Sequence, residues 1–166
     1  MKSSRASRWS VLAVATLATG LHATGALAGN MSLTLDGIAQ PLDVFAYSGN
    51  AASSTTLTTT GKVSYGNFVF NVPESAALPT EWLNLAQGRH LRSALLQVYS
   101  PATAKLTADW TFTDVVVTSI TTSATPSAAA INTLSLAYGQ IAYQVYAADG
   151  RVAARMCWSV TTNVKC

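Results

Sequence analysis

The chain has 166 residues, 49% of them apolar and only 10% charged, with a formal net charge of +3. Three of its ten basic residues, Lys2, Arg5 and Arg8, fall in the first eight positions, and beyond them seven Lys and Arg balance seven Asp and Glu. That balance excludes the Lys/Arg patch by which a nucleic-acid binder tracks a phosphate backbone, and the length suits one domain with a real core.

In chain order, the basic start leads into an apolar run from Trp9 through Leu21 and then Ala26-Leu27-Ala28. A charged start, an apolar middle and small residues at the end are the parts of a secretory signal peptide, with cleavage between Ala28 and Gly29. Thr16, Thr19, Gly20, His22 and Thr24 interrupt the run, which makes it weak as a membrane span; an uncleaved anchor is the lesser reading. The expected organisation is a signal peptide over 1–28 and a single domain over 29–166, periplasmic or extracellular, with no membrane contact after signal removal.

Past Gly29 the pattern has period two, the mark of half-buried strands. Met31, Leu33 and Leu35 alternate with polar residues up to a turn at Gly37-Ile38. Leu42–Tyr47 reads as a second strand ending at Ser48-Gly49-Asn50. The Ser/Thr-rich stretch Ala51–Gly61 reads as a long polar loop, with an edge strand around Leu57 as the alternative. Phe68 and Phe70 mark a further strand. One helix interrupts this background: Pro79 and Glu81 suit its first turn, Trp82, Leu85 and Ala86 give it an apolar face for core packing, and Gly88 ends it.

Strands resume at Leu91–Tyr99 and again at Lys105–Phe112, where Leu106, Ala108, Trp110 and Phe112 share one face. Thr113-Asp114 leads into Val115–Ile120, and Thr121–Ala130 reads as a small-residue linker. Leu134, Leu136 and Tyr138 form the next strand, Gly139-Gln140 an irregularity, and Ile141, Tyr143 and Val145 another face. Asp149-Gly150 is a hairpin signal joining that strand to Val152–Val160. Eight or so short strands with one helix predict a mainly β protein, an antiparallel β-barrel with one short flanking helix; a sandwich is the second choice.

Cys157 and Cys166 are the chain's two cysteines. In an exported chain they read as an intramolecular disulfide pinning the tail to the last strand, with a link between subunits as the lesser alternative. No His or carboxylate lies between them to complete a metal site. His90 is the single histidine after the signal, no Gly-x-Ser-x-Gly elbow is present, and the carboxylates are scattered. Asp114 reads as a buried turn carboxylate, His90 as a solvated group near the helix end. The sequence thus offers no catalytic residue, cofactor or metal ligand.

The ordered set Leu33-x-Leu-Asp-Gly-Ile38, Phe68-x-Phe70, Leu85-Ala-Gln-Gly88, Phe112-Thr-Asp-Val-Val-Val-Thr-Ser-Ile120 and Leu134-Ser-Leu-Ala-Tyr-Gly-Gln-Ile-Ala-Tyr143, closed by Trp158 and Asn163, resembles the hemolysin-coregulated protein family. That family forms the inner tube of type VI secretion machines. The resemblance implies a barrel of the tube type that self-assembles into hexameric rings, possible to stack, with a lumen for small protein cargo. It implies no enzymatic activity and no cofactor, and it places 51–61 about where a stacking loop is expected. Tube-building members assemble in the cytosol and lack a leader, so the signal segment sets this chain apart. The first functional reading is an exported, non-enzymatic structural protein forming rings or tubes. The alternative is a monomeric secreted binding module, an adhesin or carbohydrate-binding domain, using aromatics such as Tyr65, Trp82, Tyr99 or Tyr146.

Overall fold

The computed structural model describes residues 30–54 and 61–166. The proposed cleavage site at Ala28 and Gly29, and Leu57 in the polar stretch, lie outside the described residues. The described chain forms eleven strands and one helix. These are β1 (Met31–Leu35), β2 (Leu42–Asp43), β3 (Ala46–Ser48), β4 (Ala51–Ser53), β5 (Val63–Tyr65), β6 (Phe68–Pro73), α1 (Leu78–Gln87), β7 (His90–Tyr99), β8 (Leu106–Thr125), β9 (Ala128–Tyr146), β10 (Val152–Ser159) and β11 (Val164–Lys165).

All pairings are antiparallel, and the main sheet runs β11-β10-β9-β8-β7-β1-β2, with β6 joining β9 and β3 joining β6. The barrel expected from the sequence is therefore nearly, but not fully, closed as a ladder. What bridges the gap is a bend at Val44-Phe45, where the chain changes partner: the Val44 amide donates to Met31 O at 3.0 Å and the Phe45 amide to Asn71 O at 2.8 Å. That exchange is why the expected strand Leu42–Tyr47 appears as two short pieces.

Three other expectations are corrected. The polar stretch 51–61 opens as a small hairpin, β4 pairing β5 with Ala51 opposite Tyr65. Thr121–Ala130 is not a linker but the far end of the β8–β9 hairpin, whose strands run 20 and 19 residues. Gly139-Gln140 causes no break either. Gly139 lies where β9 passes Asp114 of β8, and a Cβ there would come within 3.1 Å of Asp114 Oδ2. Glycine lets the strand continue beneath that carboxylate.

The core is continuous and aromatic at its centre. Phe68 packs on Phe112 at 4.8 Å, Trp110 at 5.3 Å and Phe70 at 5.4 Å between ring centroids. Leu33, Leu35, Leu91, Leu96, Leu134 and Leu136 fill the space around them, all buried, as the alternating pattern predicts. Asp109, on the other face of β8 from Phe112, is also buried and accepts a hydrogen bond from Tyr146 Oη at 2.5 Å. One helix end matches the sequence residue for residue. Gly88 adopts φ +58°, its amide donates to Leu85 O, and Arg89 N donates to Asn84 O, closing the last turn.

Candidate functional site

The cysteines meet at the end of the sheet. Cys157 in β10 and Cys166 are disulfide-bonded, with Cα atoms 5.3 Å apart. Between them the chain turns through Asn163, at φ +58°, and lays β11 back on Trp158 and Ser159. The link clamps the tail to β10.

The polar residues are dispersed over the surface. His90 opens β7, and its Nδ1 lies 2.9 Å from Asp114 Oδ1, both side chains largely exposed. Asp114 is thus no buried turn carboxylate. It takes φ +54° within β8 and reaches across to β7, a pairing that sequence spacing could not reveal because 24 residues separate the two. Asp36 binds Arg92 through both oxygens, at 3.0 and 3.2 Å. Hydrogen bonding to Arg92 holds its pKa below the usual aspartate value. Glu74 accepts from Asn132 Nδ2 at 3.0 Å, and Asp149 from the Arg151 amide at 3.0 Å in the turn before β10. Among the described residues no three of His, Cys, Asp and Glu are grouped to hold a metal ion.

The helix presents a face that its sequence did not announce. Leu78, Glu81 and Asn84 point inward, while Trp82 and Leu83 are 45% and 54% exposed. Trp82 is therefore not a core residue. The buried acid at Glu81, three residues after Leu78, takes the place that Trp82 was expected to hold. Tyr47, Tyr65, Phe68, Trp110, Tyr138 and Met156 are among the residues that line an open cleft of about 250 Å³ with no charged residue on its walls. Trp110 stacks on Tyr143 at 3.9 Å behind it, and Tyr138 Oη donates to Gly66 O at 3.2 Å. Burial raises the Tyr138 pKa to about 12, helped by Tyr65, so the phenol stays a donor at any physiological pH. Tyr99 and Tyr146 are half-buried and bonded to Gln97 and Asp109, which removes them as free aromatic platforms.

Some large apolar side chains are exposed as well. Val152 and Met156 in β10, Val164 in β11, Ile131 in β9 and Phe45 are all more than a third exposed. The fold defines the class: a mainly antiparallel, barrel-like β scaffold with one short helix.

Residues 34–145 match the family model described as "Type VI secretion system effector, Hcp". The chain belongs to the Hcp family, the structural tube proteins of type VI secretion. No curated protein matches the sequence. Solved structures share the fold at low identity. Hcp1 from Salmonella typhimurium superposes with a TM-score of 0.71 at 21% identity, covering 82% of this chain and 97% of its own. A structure described as a type six secretion system protein gives 0.72 at 18% identity, covering 82% and 98%. The secreted protein Hcp3 from Pseudomonas aeruginosa gives 0.57 at 14% identity, covering 74% and 94%.

Proposed function

We propose that this chain is an exported, non-enzymatic subunit that self-assembles into hexameric rings of the Hcp kind. The family match over 34–145 carries the reading, because it spans every strand from β2 to β8 and nearly all of β9. The leader over 1–28 directs export, and the 29–166 domain works beyond the inner membrane, in the periplasm or outside the cell. A disulfide at Cys157–Cys166 suits that oxidising setting. The low surface charge suits wide polar and apolar contacts between copies, and the ring would enclose a lumen able to take small protein cargo. Of the aromatics suggested for a monomeric binding module, Tyr99 and Tyr146 are hydrogen-bonded to their neighbours, while Trp82 is exposed on the helix and Tyr65 lines the open cleft; the family match favours the ring reading over that module.

The test is the mass of the oxidised chain from Gly29 by light scattering, with negative-stain images of the same fractions. A hexamer with a ring outline is expected. A monomer at all concentrations would overturn the proposal.

A further inference from the structure

The uncharged cleft draws its aromatic walls from five strands: Tyr47 of β3, Tyr65 of β5, Phe68 of β6, Trp110 of β8 and Tyr138 of β9. Local backbone choices build it. A Cβ at Gly49 would strike the Phe68 ring, so glycine there lets the chain pass against the buried ring that forms the floor. A Cβ at Gly66 would strike the Asn50 side chain, and the Gly66 amide donates to Asn50 O at 3.0 Å. Tyr138 Oη in turn donates to Gly66 O at 3.2 Å. Wall, turn and Asn50 are thereby held as one piece.

Two kinds of binding group are available there. The first is ring face: Tyr47 is exposed, and Tyr65 and Trp110 are half-buried. Tyr47 lies nearly parallel to Phe68, and Trp110 nearly parallel to Tyr143, which fixes both planes. The second is neutral and polar: Tyr47 Oη, Tyr65 Oη and the Asn50 side-chain amide make no hydrogen bond among the described residues. Flat apolar faces beside uncharged donors and acceptors match a saccharide ring, which has an apolar C–H face and hydroxyls that both donate and accept. A carboxylate or an ammonium would find no opposite charge on these walls and would lose water without compensation. Aromatic rings attract organic cations too, but no acid lies on the walls to neutralise one. The volume falls just below the roughly 300–1,000 Å³ of drug-sized sites, which is room for one ring with the rest of a chain outside.

We infer that this cleft binds one neutral sugar unit, the end of an uncharged glycan. Its C–H face lies on the aromatic rings, and its hydroxyls bond the Asn50 amide and the Tyr47 and Tyr65 phenols. The site belongs to the single subunit and stands apart from the ring reading, so each can fail without the other.

The experiment titrates the oxidised exported chain with the methyl glycosides of glucose, galactose, mannose and N-acetylglucosamine, reading the indole 15N–1H resonances of Trp82, Trp110 and Trp158. Trp110 Nε1 has no hydrogen-bond partner among the described residues, so its resonance reports what enters the cleft. At least one glycoside shifts Trp110 and leaves the other two in place, with a Kd of about 1 mM, as expected for about a dozen heavy atoms. Tyr47→Ala weakens that binding about tenfold and Asn50→Ala about fivefold, both at exposed positions where a thermal melt checks folding. Trp82→Ala, on the helix, leaves it unchanged. Methyl glucuronide and choline bind at least about tenfold more weakly than the neutral sugar. The inference falls if no glycoside moves Trp110 at about fifty times that concentration. It falls equally if both cleft variants bind as wild type does, or if glucuronide or choline binds as well as the neutral sugars.

Discussion

Glu81 has no exposure, and neither carboxylate oxygen has a hydrogen-bond partner. Desolvation raises its pKa, an effect only partly offset by the Asn84 side chain and the Arg89 charge. A carboxyl whose folded pKa is raised lends stability that is complete below the ordinary glutamate value and is lost as pH rises through the raised one. Glu81→Gln keeps the shape and removes the ionisation. Thermal melts of the variant should therefore lie a few degrees above wild type at pH 8 and converge with it near pH 4. Equal melting temperatures at both pH values would contradict this account. The sequence made Glu81 look like a first-turn acid placed for the helix dipole, which it also is. Nothing in its spacing distinguishes an acid facing solvent from one facing the core, because that choice is made by the strands beneath. Gly139 has the same character. Its role is set by Asp114, 25 residues earlier, and Gly139→Ala should lower the melting temperature by pushing that carboxylate off His90.

At the scale of elements the helix was legible in its ends and misread in its faces. Pro79 and Gly88 punctuate it through backbone rules that need no tertiary context, so both boundaries could be read. Its fully buried stripe is Leu78, Glu81 and Asn84, two of them polar, which an apolar pattern cannot find; Leu85, which that pattern does place inward, packs against the core. Gly88→Ala places a Cβ at φ +58° and should cost about 1 kcal/mol by urea unfolding. The tail was legible for a different reason, since two cysteines allow one intramolecular pairing. Replacing Cys157 and Cys166 together by Ser should cost roughly 2–3 kcal/mol in the same assay, with the largest loss of exchange protection in β11. The long β8–β9 hairpin was read as separate pieces because Thr, Ser and Ala mark neither strand nor turn. Its continuity comes from cross-strand pairing such as Thr122 with Asn132.

For the whole molecule, the barrel was legible because its core strands alternate cleanly, and Phe68 shows what that alternation builds. It touches Tyr47, Phe70, Trp110, Phe112 and Tyr138 and so ties β3, β6, β8 and β9 into one body. Phe68→Ala should cost about 3–5 kcal/mol, enough to remove much of the stability of a domain this size. Near-closure of the sheet was beyond reach from the sequence, since it depends on two amides at Val44 and Phe45 choosing different partners. The functional reading comes from the order of motifs along the chain rather than from any one residue, and the family match covers residues 34–145 of that span, short of Trp158 and Asn163.

The length of the β8–β9 hairpin also bears on how the chain reaches this fold. Its two strands are joined by a turn at Pro126-Ser127, so their contacts close short loops, whereas β1 pairs along its whole length only with β7, whose partner residues lie about sixty positions away, and over two residues with the nearer β2. Loop-closure entropy favours the near contacts first. Until β8 and β9 zip together, β7 lacks its β8 partner and β6 its β9 partner, although β1–β2, β3–β6 and β4–β5 can already pair. The rate-limiting nucleus should then sit in β8–β9, with φ-values near one at Phe112 and Leu136 and near zero at Leu33.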